Sequence, residues 1–306
     1  MPKLLSKDNK VGLSYFGLII VILVWGSAPL VATEINKAFS PSISMTIRGF
    51  LVAVFLFLIS IKKLKLLNKR YFIVALSTGL FYAAASILQR FGLKSTTPSH
   101  YQFLENLSCL VVPFLMWWFI KKKPNVLTIL SCIVCLVSAL ILCGFDFTAE
   151  SLKFGTGDIL CALAGVLYGF NIAGTGAFSK ELDPFLYVML QQIMLFVCGL
   201  FSILIEGVSG ASLQYDFSLL NVSVLIVEAI CISALCWIIR TYSMKYVDAT
   251  VVSVIMPLTA VVTVLLSVLL GKESLSLSLI LGGSLGLVAT YLSVLGDKLS
   301  KKKENK

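Results

Sequence analysis

The sequence predicts an all-α integral membrane protein: ten transmembrane helices arranged as two inverted five-helix repeats. Three observations predict it. The 306 residues are 58% hydrophobic and only 13% charged, where a soluble domain carries about 25% charge, so there is too little charge to cover a water-facing surface. The apolar residues fall in blocks along the whole chain, each close to the roughly 20 residues a helix needs to cross a hydrocarbon layer about 30 Å thick. The second half of the chain also repeats features of the first at a nearly constant offset.

Taken in order, the blocks predict helices at 12–32, 42–61, 71–91, 98–119, 126–145, 157–178, 184–205, 219–240, 247–270 and 277–296. The first apolar run, Val11 to Ala32, exceeds the roughly 7–15 residues of a signal-peptide core, and no A-x-A-type site follows it. It reads as a first transmembrane helix. Asp158 is placed to cap the sixth helix. Gly165-x-x-x-Gly169 and Gly282-x-x-x-Gly286 permit close helix approach, either within the chain or, for the tenth helix, at a dimer seam. Trp117 and Trp118 beside Lys121, Lys122 and Lys123 form an interface anchor.

Charge placement sets the orientation, because lysine and arginine collect on the cytoplasmic side. With the N-terminus inside, nineteen of the 25 lysines and arginines fall on inner segments, Arg240 and Lys245 among them. Five fall on outer ends: Lys37, Arg90, Lys94, Lys153 and Lys272. Arg48 lies within the second helix. Both termini are therefore expected in the cytoplasm, with an even helix number and the plasma membrane as the location. The net charge of +10 is a topology signal, and no nucleic acid partner is expected. The partners expected are a small-molecule substrate and the lipid bilayer, with the chain as a monomer or homodimer.

The internal repeat shows as paired residues. Trp25-Gly26 precedes Tyr168-Gly169 by 143 residues, and the same offset pairs Pro41 with Pro184 and Arg48 with Gln191. Later the offset is 151, pairing Phe91 with Tyr242, Lys94 with Lys245 and Lys121 with Lys272. The two copies divide at 1–150 and 151–306. Five helices per copy is an odd number, so the second copy inserts upside down, the architecture of many secondary transporters.

An ionised group in hydrocarbon costs at least about 2.5–3.5 kcal/mol, so polar residues inside the helices mark a cavity or a partner. The fourth helix is the most informative. Gln102, Glu105, Asn106 and Cys109 follow at i, i+3, i+4 and i+7 and share one face, bordered by Tyr101. That face either lines a substrate cavity, with Glu105 as proton carrier or cation ligand, or forms a helix-packing cluster. Tyr82, Ser86 and Gln89 in the third helix, Tyr168, Asn171 and Thr175 in the sixth, and Trp25 and Ser27 in the first are open to the same two readings, as is Trp237 in the eighth. Glu228 is a second intramembrane carboxylate, either a titrating site or a partner for Arg48 or Arg90. Arg48 reads mainly as structural, and Glu34 as solvated. Acid, amides and aromatics together suit amino acids, amines or planar cations.

Enzyme chemistry finds no support. Gly155-Thr156-Gly157-Asp158 matches one half of an intramembrane aspartyl protease signature, but the only Tyr-Asp pair, Tyr215-Asp216, follows it in an outer loop. The sole histidine, His100, has no G-x-S-x-G serine to serve. No zinc helix and no phosphate loop is present, so neither metal nor cofactor is expected. The eight cysteines lie almost all in apolar blocks, Cys132-x-x-Cys135 included, and read as small packing residues.

The order of several short motifs resembles the drug/metabolite transporter superfamily, in particular its EamA-type members. These are Trp25-Gly26-Ser27, the stretch from Pro41 to Phe50 with Arg48, the run Gln89-Arg90-Phe91-Gly92-Leu93-Lys94-Ser95-Thr96, Gly157-Asp158, Pro257, and Gly271-Lys272-Glu273. The resemblance spans about 14–296. It implies alternating access around a central cavity and export of amino acids, metabolites or toxic compounds, in some members by proton exchange. The alternative within the same superfamily is a lipid-linked sugar or lipid translocase. Many members carry Glu-Pro in the ninth helix. Here that pair is Met256-Pro257, and the acid stands at Glu105-Asn106 in the other half.

Overall fold

The computed structural model describes residues 7–96, 98–142, 155–208, 212–271 and 277–304, and these form an all-α fold without strands. Its helices are α1 (Lys7–Ala38), α2 (Pro41–Ser60), α3 (Lys69–Gly92), α4 (Pro98–Glu105), α5 (Ser108–Ile120), α6 (Val126–Leu142) and α7 (Thr156–Phe178). They continue with α8 (Pro184–Val208), α9 (Leu219–Val227), α10 (Cys236–Ser243), α11 (Ala249–Ile255), α12 (Leu258–Leu269) and α13 (Leu277–Glu304). A 3₁₀ turn, Ile61–Leu66, follows α2, and a π-helical stretch, Glu228–Leu235, joins α9 to α10. Among the described residues, eight helical segments are long and apolar enough to cross a membrane; Ser108–Ile120 and Val126–Ile141 are apolar but shorter. Large apolar side chains such as Leu58, Trp118, Ile205 and Leu220 remain exposed. With no water-compatible coat over them, they form the lipid-facing surface of a multi-pass membrane protein.

Local chemistry starts the helices where they start. Pro41 and Pro184 open α2 and α8, where a missing N–H costs nothing. Asn68 accepts from the backbone N–H of Arg70 and Tyr71 at α3, and Asp183 does the same for Phe185 and Leu186 at α8. Asp158 is one turn inside α7 rather than at its cap. Gly155 is the cap, and the Asp158 carboxylate reaches back to its N–H at 2.9 Å.

Three predicted helices are interrupted. The fourth breaks between Glu105 and Ser108, with i→i+3 bonds from Leu107 to Leu104 and from Cys109 to Asn106. The ninth breaks at Met256-Pro257, where Thr259 bonds back to Met256 and Ala260 to Pro257. Pro257 explains the second break, because proline removes a backbone donor. At the first, Gly165 of α7 lies so close that a Cβ there would sit 2.2 Å from the Leu104 carbonyl oxygen. The eighth helix widens into the π stretch. The first and tenth run longer than predicted, to Ala38 and Glu304.

The main packing partners are α6 with α13, α2 with α8, α3 with α7 and α8, α5 with α7, and α1 with α10 and α12. Gly282 and Gly286 meet Ser138 of α6, so this small-residue pair packs inside the chain. Cys132 and Cys135 are buried against Cys109 and Ala289 as free thiols; Cys143 lies outside the described residues.

Candidate functional site

A cavity of about 80 Å³ opens among α1, α2, α3, α4, α7, α10, α12, the start of α5 and the π stretch. One water needs about 10–15 Å³ by this measure, so the space holds several waters or a small metabolite. Nine of the residues singled out in the sequence line it: Trp25, Gln89, Tyr101, Gln102, Glu105, Asn106, Tyr168, Glu228 and Trp237.

Glu105 is the last residue of α4 before the break. Its carboxylate accepts from the Gln89 amide at 2.8 Å and the Gln102 amide at 3.4 Å. Gln102 also donates to the Thr259 hydroxyl at 2.7 Å, linking α4 to α12. Gln89 is shared in turn: its carbonyl oxygen accepts from Tyr168 at 2.9 Å, and Tyr168 bonds Ser86 at 3.0 Å. Glu105 thus faces the cavity on neutral donors, with no cation within 4.0 Å among the described residues. Cys109, expected on the same face, is turned away by the break into the thiol cluster.

Three arginines also line the cavity. Arg90 pairs with Glu228 and donates to the Ala32 carbonyl at 3.3 Å. Arg48 lies 3.7 Å from the same Glu228 oxygen and 3.4 Å from the Tyr82 hydroxyl. Arg240 has no carboxylate within 4.0 Å among the described residues. It donates to the Asn171 amide oxygen at 2.8 Å and stacks on Trp237, its guanidinium carbon 3.9 Å from the ring centroid, with Trp25 at 5.7 Å. Burial of Arg90 and Arg240 removes both from the surface charge they were assigned to; one came from each side, so the inward excess of positive charge survives.

Five further predicted residues, Ser27, Tyr82, Ser86, Asn171 and Thr175, do not line the cavity. Ser27 turns its hydroxyl back to the Val24 carbonyl of its own helix. Tyr82 is fully buried behind Trp237, bonded to Gln192 and Arg48. Asn171 positions Arg240 from outside the cavity and donates to the Thr78 carbonyl. Thr175, with Tyr187, Thr78 and Gln191, forms a separate buried network. Among the residues sequence reasoning missed, Arg240 had a signal. The pairing of Phe91 with Tyr242 sets Gln89 over Arg240, and Gln89 was already a candidate.

The π stretch is part of the site. Its wide turn brings Glu228, Ile232 and Ser233 to the cavity wall, and the Trp25 indole donates to the Ile232 carbonyl at 2.9 Å.

The model of the EamA-like transporter family matches the chain twice, over residues 12–144 and 155–295. The chain belongs to the EamA-like transporter family. An uncharacterized transporter of Archaeoglobus fulgidus is 27% identical over 184 residues, 59% of this EamA-like chain. The match spans about half, 54%, of that relative's length. A solved crystal structure with 14% identity has a TM-score of 0.74, covering 96% of this chain and 99% of its own, and shares the fold.

Proposed function

We propose that this protein is a secondary transporter that exports small metabolites, amino acids and related amphipathic compounds among them, across the plasma membrane by alternating access. The observation that carries this reading is the polar cavity at the level of two helix breaks. Broken helices at matching positions in two halves are where secondary transporters bind substrate. The breaks match: Glu105-Asn106 stands 151 residues before Met256-Pro257.

The helix packing supports ten spans in two inverted copies, with α4 and α5, α9 and α10, and α11 and α12 each forming one span. Exchange of the copies turns the α1–α10 contact into α7–α3 and the α5–α7 contact into α12–α1, while α2–α8 and α6–α13 map onto themselves. A two-fold axis in the membrane plane has these consequences. Both termini then lie on one side, in the cytoplasm.

Glu105 is the proton carrier in this reading. The groups facing it are the amides of Gln89 and Gln102, Arg240 across the cavity, the hydroxyls of Tyr101 and Tyr168, and the Cys161 thiol. The test is flux in reconstituted vesicles against a metabolite panel, with and without a pH gradient. Glu105→Gln should fold, keep its contact with Gln89 and lose all gradient-driven flux. Wild-type drive in that variant removes the proton role. Lipid scrambling without flux of any soluble compound replaces the transporter by a lipid-linked translocase.

A further inference from the structure

The cavity wall carries three guanidiniums and two carboxylates among the described residues. Both Arg48 and Arg90 converge on one oxygen of Glu228, so that cluster holds one positive charge in excess. Glu105 offsets it only from across the cavity, and Arg240 adds another positive charge. With both carboxylates ionised the wall is positive by one charge, and by two when Glu105 holds a proton.

Donor capacity points the same way. A guanidinium presents five N–H donors in a planar fork. Arg240 is 2% exposed, and its one side-chain hydrogen bond among the described residues goes to a neutral amide. Among the described residues its Nε has no partner, nor do Arg48 Nε and the Nδ2 of Asn106, against a single unpartnered acceptor on the same wall, Glu228 Oε2. A buried donor without an acceptor is costly, and an uncompensated buried charge costs more. A carboxylate removes both deficits, because its two oxygens fit a guanidinium fork. The remaining wall, from Ala28, Ala32, Ile172, Ile232 and Met256, is apolar.

We infer that this cavity selects small organic carboxylates of net negative charge with an apolar body, the carboxylate seated against Arg240 and Asn106. The inference rests on the cavity being the transport site and narrows its substrate class. It reverses the expectation from acid, amides and aromatics alone, which admitted amines and planar cations.

The test is a charge series on one carbon body, titrated against the full chain in lipid nanodiscs at neutral pH: isovalerate, valine, isoamyl alcohol and isoamylamine. Tryptophan fluorescence is the readout, since Trp25 and Trp237 flank Arg240. Isovalerate should bind at least ten-fold tighter than each of the others. Arg240→Gln should weaken isovalerate about ten-fold and leave the alcohol unchanged. Tighter binding of valine or the amine, or no binding across the series, overturns the inference. So does unchanged isovalerate affinity in Arg240→Gln. The wild-type series stands even if that variant does not fold. Vesicle flux of amines without flux of carboxylates would overturn the substrate class and leave transport intact. Carboxylate binding without flux of any compound would leave the anion site and remove the transporter reading.

Discussion

Gly165 shows how narrowly single side chains set this site. A methyl group there would meet the Leu104 carbonyl oxygen at 2.2 Å and that of Glu105 at 3.1 Å. Backbone cannot swing aside as a flexible side chain can, so Gly165→Ala must push α7 from the break that presents Glu105. Overpacking of this kind costs about 1–3 kcal/mol. The thermal midpoint in detergent should fall clearly, whereas Gly12→Ala, with nothing within 4 Å, should leave it unchanged. The reason for that glycine was not legible in the sequence. Gly165-x-x-x-Gly169 announces a close approach but not its partner, which lies some sixty residues away. The polar spacing of Gln102, Glu105 and Asn106 was legible, because helical periodicity alone puts them on one face. Arg240 was legible only through its repeat pairing with Gln89: followed by Thr241, Tyr242 and Ser243, it reads locally as the polar end of a span, and its stacking on Trp237 beside Trp25 is a tertiary fact.

At the scale of elements, the breaks and the π stretch shape the cavity wall, and they differ in legibility. Pro257 marks its break openly. The break after Glu105 has no proline or glycine, and the π stretch reads as uninterrupted apolar helix, so hydropathy sees both as continuous spans. Short linking segments are equally decisive at the membrane surface. Lys122, between α5 and α6, bonds Asp248 at 2.6 Å and Asp297 at 3.4 Å, clamping the loop to α11 and α13. The two aspartates hold the Lys122 ammonium above its ordinary 10.5 against the opposing effect of burial. Lys122 and the Thr250 N–H hold the Asp248 carboxyl below its ordinary 3.8, also against burial. The Asp248 contribution is complete above the unfolded value and fades as pH falls through the lower folded one. The Lys122 contribution is complete below its unfolded value and fades as pH rises through the higher folded one. Asp248→Asn keeps an N-cap and loses the charge, at a cost of about 1.5–3 kcal/mol, the range for hydrogen bonds to charged groups. Thermal melts should show a deficit that is constant through the neutral range and closes only at strongly acidic or strongly alkaline pH. A deficit that varies between pH 6 and 8 would assign the effect to another group.

At the scale of the whole molecule, the proposed inverted architecture makes a claim about sidedness. Lys63 and Asp183 join the turn after α2 to the start of α8 at 2.8 Å, and Arg70 pairs with Glu181 beside them. At the other end of the same helix pair, Glu206 of α8 meets Ser42 of α2, and the Gln214 N–H donates to the Ser40 hydroxyl at 2.8 Å. These are equivalent corners, since Ser40 stands 143 residues before Asp183 and Lys63 the same distance before Glu206. An upside-down second copy places the two corners on opposite faces of the bilayer. A helix of 25 residues such as α8 rises about 37 Å at 1.5 Å per residue, enough to separate them across the hydrocarbon. The corner near Lys62, Lys65 and Lys69 is then expected inside by its positive charge, and the corner of Glu206 and Ser42 outside. Cysteine placed at Lys65 and, separately, at Asp216, in a chain with Cys198 and Cys231 replaced by serine, should report this directly. A membrane-impermeant maleimide added to intact cells should label Asp216→Cys and spare Lys65→Cys until the cells are opened. Labelling of both from outside would mean that α8 does not span the bilayer. Labelling of Lys65→Cys alone would place the termini outside and reverse the proposed orientation.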